Sequence, residues 1–175
     1  IIANTGDDPA ARETTAFIVE RDRPGFRVEA GYKTMAGQSH TANIHLENCR
    51  IPRANQVGER GRGLALALGR ITVNRLLHTP AMLGLARLAF EDARAHALRR
   101  RQFGQPIANF QMVRAKLADM YVWTESVRVM TYQALRAANN LEIGGGGRGD
   151  IHKITAASVM FAAQTMNRVL DRSEE

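Results

Sequence analysis

At 175 residues, 45% of them hydrophobic, the chain is long enough to bury a core and is not disordered as a whole. Its one cysteine, Cys49, excludes an internal disulfide framework and fits a reducing compartment, and the five histidines lack zinc-ligand spacing, so no metal site is expected. The net charge of +7 invites a nucleic-acid partner, but the arginines are spread along the chain with one dense cluster, so nucleic acid is not the expected ligand.

No apolar run reaches membrane-spanning length, and a chain opening on Ile1 reads as a piece of something longer. Two regimes meet near residue 57. Before it, Thr14 to Glu20 is rich in β-formers, Arg21-Asp22-Arg23-Pro24-Gly25 reads as a turn, and Thr41 to Glu47 alternates polar and apolar residues. Pro52 closes the last strand, and Val57 to Gly63 reads as a glycine-rich connection. The expected domains are 1–57, the remnant of a β-sheet or barrel, and 58–175, a helical bundle.

From Leu64 onward the apolar spacing is helical. Leu76, Leu77, Leu83, Phe90 and Leu98 outline a long helix or a broken pair, with Pro80 at a kink or restart. A second helix starts near Ala108 to Phe110 and carries Val113, Leu117, Met120, Tyr121, Thr124, Val127, Thr131, Ala134 and Leu135 on one face. Gly144 to Gly147 read as a helix–helix loop, and a third helix follows from Asp150 as its cap, with Ile151, Ile154, Phe161, Ala162, Thr165 and Val169 on one side. The fold class is α+β: a partial β-barrel or sheet followed by an antiparallel up-down bundle.

The densest signal is Arg99-Arg100-Arg101-Gln102-Phe103-Gly104-Gln105-Pro106-Ile107, with Phe110-Gln111 at the start of the next helix. Guanidinium forks bond phosphate oxygens in pairs, and a helix start offers unpaired N–H groups, so this turn suits a pyrophosphate. In order and spacing it resembles the R-x-x-F-G segment, with its following F-Q, of the acyl-CoA dehydrogenase family. Thr15 to Val19 with Pro24-Gly25-Phe26, the strand end through Ile51-Pro52, Gly58-x-x-Gly61-x-Gly63 and Gly84-Leu85-Ala86 fall where that family has matching pieces.

The resemblance implies an oxidoreductase using FAD to form an α,β double bond in an acyl-CoA thioester. It places Arg100, Arg101, Gln102, Phe103, Phe110 and Gln111 against the flavin of an adjacent subunit, with Phe103 also a core residue, and Asn74 and Arg75 along the acyl-CoA pocket. The reaction needs a carboxylate base whose pKa burial raises. One branch of the family has a glutamate where this chain has Asn74, and an amide cannot serve, so the base is expected beyond Glu175 and the chain alone is expected to be inactive. The family further implies a homodimer or homotetramer, an electron-transfer flavoprotein or similar acceptor, and a bacterial cytoplasm, organellar matrix or peroxisome. Two other readings stay open: a non-dehydrogenase of the same fold that binds nucleic acid through its basic surface, and an acyl-CoA oxidase.

Overall fold

The computed structural model describes residues 1–8, 10, 13–35, 37, 39–139 and 149–175; the glycine run 144–147 lies outside the described residues. Contacts divide the chain into two compact units, Ile1–Ala67 and Leu68–Glu175.

In the first unit β1 (Ile2–Asn4), β2 (Thr14–Phe17) and β7 (Gln56–Val57) form an antiparallel sheet in the order β1-β2-β7. Two hairpin-like pairs accompany it, β3 (Phe26–Val28) with β6 (Ile44–Leu46) and β4 (Tyr32–Lys33) with β5 (Ser39–Thr41). No closed barrel forms among the described residues. Val57, expected in a loop, is a strand residue because its backbone pairs with Ala16. The β-rich run from Thr14 stops pairing as a strand at Phe17, and the Thr41–Glu47 alternation divides between β5 and β6. The Pro24-Gly25 turn docks on the end of β6: Gly25 has φ +83, and a Cβ there would lie 2.1 Å from the Glu47 carbonyl oxygen, so only glycine fits.

α1 (Gly63–Arg99) opens on the same sheet. Thr15 is fully buried, and its hydroxyl lies 2.7 Å from that of Thr5 while accepting the Gly61 N–H at 3.0 Å. Thr14 accepts the Leu64 N–H at 3.0 Å, so a strand residue satisfies a donor that the first turn of α1 leaves unpaired. Arg60 reaches back from this corner, donating to the Glu13 carboxylate and to the Thr5 carbonyl, each at 2.6 Å.

α1 runs unbroken for 37 residues with Pro80 inside it. Past Gly63, its buried positions are Leu76, Thr79, Ala86 and Ala97, a stripe of mostly small residues, whereas Leu77 and Leu98 are exposed. The expected leucine face is therefore offset: burial falls on Leu76, Thr79, Ala86 and Ala97 instead. In the second unit, α2 (Gln111–Ala138) and α3 (Asp150–Glu174) are antiparallel, since Lys116 meets Glu175 at 3.2 Å and Asp119 meets Arg172 at 3.7 Å. Ala86, Met120 and Val169 form the core, with Phe90, Leu117, Trp123 and Met166 packed around them. Asp150 does not cap α3: Gly149 occupies that position, and the Asp150 carboxylate instead accepts a bond from Lys153 at 3.1 Å. Cys49 is half-buried.

Candidate functional site

The segment between α1 and α2 is built as a hairpin. β8 (Arg101–Gln102) pairs antiparallel with β9 (Gln105–Pro106), in the register Arg101↔Pro106 and Gln102↔Gln105, which leaves Phe103-Gly104 as a two-residue loop. Both loop residues are left-handed, with φ 51 at Phe103 and 79 at Gly104, as a type I′ hairpin turn requires. Glycine meets that requirement freely; phenylalanine pays roughly 1–2 kcal/mol for it. The Arg101 guanidinium donates to the Gly104 carbonyl at 2.8 Å, and the Ile107 N–H donates to the Arg100 carbonyl at 2.8 Å, closing the loop tip and the base of the hairpin.

Phe103, expected in the core, stands at the tip with 92% of its surface exposed. Its one ring contact is edge-to-face with Phe110, centroids 6.2 Å apart. An aromatic side chain held in a strained backbone state and left in solvent is a feature that folding alone does not reward.

A short 3-10 helix, Ile107–Asn109, leads into α2, whose N-cap Phe110 supplies no side-chain bond and whose first turn carries no acidic residue. Gln111, the first residue of α2, is exposed, as are Arg100, Gln102 and Phe103. No carboxylate lies within ion-pair distance of Arg99, Arg100 or Arg101 among the described residues. Guanidinium groups without carboxylate partners and a helix start without a side-chain cap are both groups that bind anions.

Below the hairpin lies a pocket of about 320 Å³ lined by Ala97, Ile107, Val113, Leu117 and Met120, with Lys116 and Arg172 also contributing. Hydrogen bonds from Arg172 and then Lys116 hold the Glu175 carboxyl below the usual glutamate range.

Asn74 and Arg75 are exposed on α1 and are not brought to the hairpin. Some twenty-six residues of continuous helix separate Asn74 from Arg100, roughly 39 Å at the rise of an α-helix. Sequence reasoning located the cationic turn but missed its hairpin form; the available signal was Phe-Gly as a two-residue loop between the extended pairs Arg-Gln and Gln-Pro.

The family description "Acyl-CoA dehydrogenase, C-terminal domain" matches residues 61–172. The chain belongs to the acyl-CoA dehydrogenase family. It is 31% identical over 170 residues to mitochondrial isovaleryl-CoA dehydrogenase of Oryza sativa subsp. japonica, covering 97% of this chain and 40% of that protein. Among solved structures, a glutaryl-coenzyme A dehydrogenase in complex with glutaryl-CoA superposes with TM-score 0.78 and 28% identity, over 98% of this chain and 42% of that one. An acyl-CoA dehydrogenase of Bacillus anthracis complexed with FAD gives TM-score 0.68 and 27% identity, over 92% and 30%. The chain thus spans about two fifths of the length of the rice relative. Within the family match lie all of Asn74, Arg75, the arginine hairpin and Gln111.

Proposed function

We propose that this chain is part of an FAD-dependent acyl-CoA dehydrogenase, with residues 1–57 closing its β-domain and 58–175 opening its helical domain. The observation that carries the reading is the strained, exposed Phe103 at the tip of a hairpin whose flanking arginines have no carboxylate partner among the described residues. Bound FAD would supply the hydride acceptor for the β-carbon of the thioester.

The residues of this chain act on binding. Arg100 offers a guanidinium to the dinucleotide pyrophosphate, and Arg101, tied to Gly104, fixes the shape of the loop. Phe103 supplies an aromatic face or edge, Gln102 and Gln111 offer amide bonds, and Phe110 buttresses Phe103 from the side. Asn74 and Arg75 line the acyl-CoA pocket. The long separation between that pair and the hairpin supports a division of labour between copies, in which the hairpin serves a neighbour's flavin while Asn74 and Arg75 serve the chain's own substrate. A homodimer or a tetramer of paired dimers follows. Neither Asn74 nor any residue at the hairpin is a carboxylate, so the α-proton goes to a base outside this set. An electron-transfer flavoprotein or a similar acceptor reoxidises the enzyme.

Arg100→Gln in the full-length protein tests the assignment. Loss of a charge-assisted bond to phosphate lowers FAD affinity about 10- to 100-fold, read by equilibrium dialysis. Unchanged FAD retention would remove Arg100 from the site.

A further inference from the structure

The seam between α2 and α3 carries a polar layer that the proposed site does not use. Its buried positions are Met120, Thr124, Val127, Thr131 and Ala134 on α2, and Thr155, Ser158, Ala162, Thr165 and Val169 on α3. Both sets step by alternating threes and fours, the spacing of a coiled-coil seam. The ion pairs Lys116–Glu175 and Asp119–Arg172 fix the antiparallel register at one end. Met120 and Val169 share one core layer, and the matching steps of the two buried stripes from that layer set Thr131 opposite Ser158 and Ala134 opposite Thr155, one turn further on.

Thr131, Thr155 and Ser158 are 2%, 1% and 1% exposed. The hydroxyl oxygens of all three have no hydrogen-bond partner among the described residues. Self-satisfaction is available in this seam, because the Thr124 hydroxyl donates to the Met120 carbonyl at 2.7 Å. Valine or alanine would occupy the same volumes without desolvating a hydroxyl. Three orphaned hydroxyls in neighbouring layers therefore point to a shared polar ligand small enough for a helix seam.

We infer that Thr131, Thr155 and Ser158 form an internal water site, in which one buried water bridges α2 to α3 at the end of the seam away from the ion pairs. A buried water makes about three hydrogen bonds, and each hydroxyl can donate or accept, so the triad matches the ligand in number and kind. The bridge holds the helix register at the end where no ion pair joins α2 to α3 among the described residues.

Two readouts test this on the full chain. A high-resolution crystal structure is expected to show a water peak about 2.7–3.0 Å from at least two of the three hydroxyl oxygens. Thr131→Val and Ser158→Ala, each removing one bond to that water, are expected to lower Tm by about 2–4 °C. If the hydroxyls were dry and unbonded, both replacements would relieve a penalty and Tm would rise. A rise in either variant, or density showing the hydroxyls turned onto carbonyls of their own helices with no water between them, overturns the proposal.

Discussion

The Thr79 hydroxyl donates to the carbonyl of Leu76 at 2.7 Å, in a turn where both residues are buried. That carbonyl is the one Pro80 cannot reach, because a helix bonds N–H of residue i to the carbonyl of residue i−4 and proline has no N–H. A side chain one position before the proline thus replaces the missing backbone donor, and α1 passes through Pro80 without ending.

Removing that donor should be costly. Thr79→Val leaves a buried carbonyl unpaired and is expected to lower stability by about 1–3 kcal/mol. Pro80→Ala restores the backbone N–H, so the same Thr79→Val change costs much less in that background. Equal costs in the two backgrounds, measured by denaturant unfolding as a double-mutant cycle, would show that the hydroxyl does not stand in for the proline.

Two glycines of α1 should respond with opposite signs. A Cβ on Gly63 would lie 2.8 Å from the Thr15 carbonyl carbon and 2.9 Å from the Ala16 nitrogen, so Gly63→Ala forces the helix start away from β2 and costs about 1–3 kcal/mol. Gly84 has nothing within 4 Å of its Cβ position, and Gly84→Ala is expected to gain about 0.5–1 kcal/mol of helix stability. Thermal melts of the two variants decide it; a stabilised Gly63→Ala would contradict the packing described for that corner.

Phe103 should trade stability against ligand binding. Phe103→Gly relieves the left-handed strain and is expected to raise stability by about 1 kcal/mol without flavin. The same change is expected to weaken FAD binding by up to about tenfold, through loss of an aromatic contact. A variant that is more stable and binds FAD equally well would leave the strain without a function.

The Arg60 hydrogen bond, opposed by burial and aided by Thr5, holds the Glu13 carboxyl below its ordinary value of 4.5. A lowered carboxylate pKa stabilises the fold fully above its unfolded value, and that contribution disappears as pH falls through the folded value. Between about pH 5 and pH 3 the unsubstituted chain should therefore lose more stability than Glu13→Gln. Parallel urea midpoints for the two proteins across that range would show that the Arg60–Glu13 bond carries no pH dependence.

The helical half was legible because its buried face follows local periodicity: Met120, Thr124, Val127, Thr131 and Ala134 lie on the stripe read from sequence. α1 was misread in detail because Thr79, Ala86 and Ala97 are buried while Leu77 and Leu98 are exposed, and no local pattern separates the two sets. The strands were shorter than expected because pairing is set by distant partners; Val57 joins the sheet only because Ala16 stands beside it. At the candidate site, the arginines and Gly104 could be read from sequence. The exposure of Phe103 could not, since a phenylalanine in a left-handed turn runs against both its conformational and its burial preferences.

The most direct test of the central claim is the visible spectrum of the full-length protein, purified without added flavin, before and after anaerobic addition of a mixed acyl-CoA pool. A bound-flavin band that bleaches on addition is the predicted result. A colourless protein that takes up no FAD, or a flavin band that acyl-CoA leaves unchanged, would contradict it.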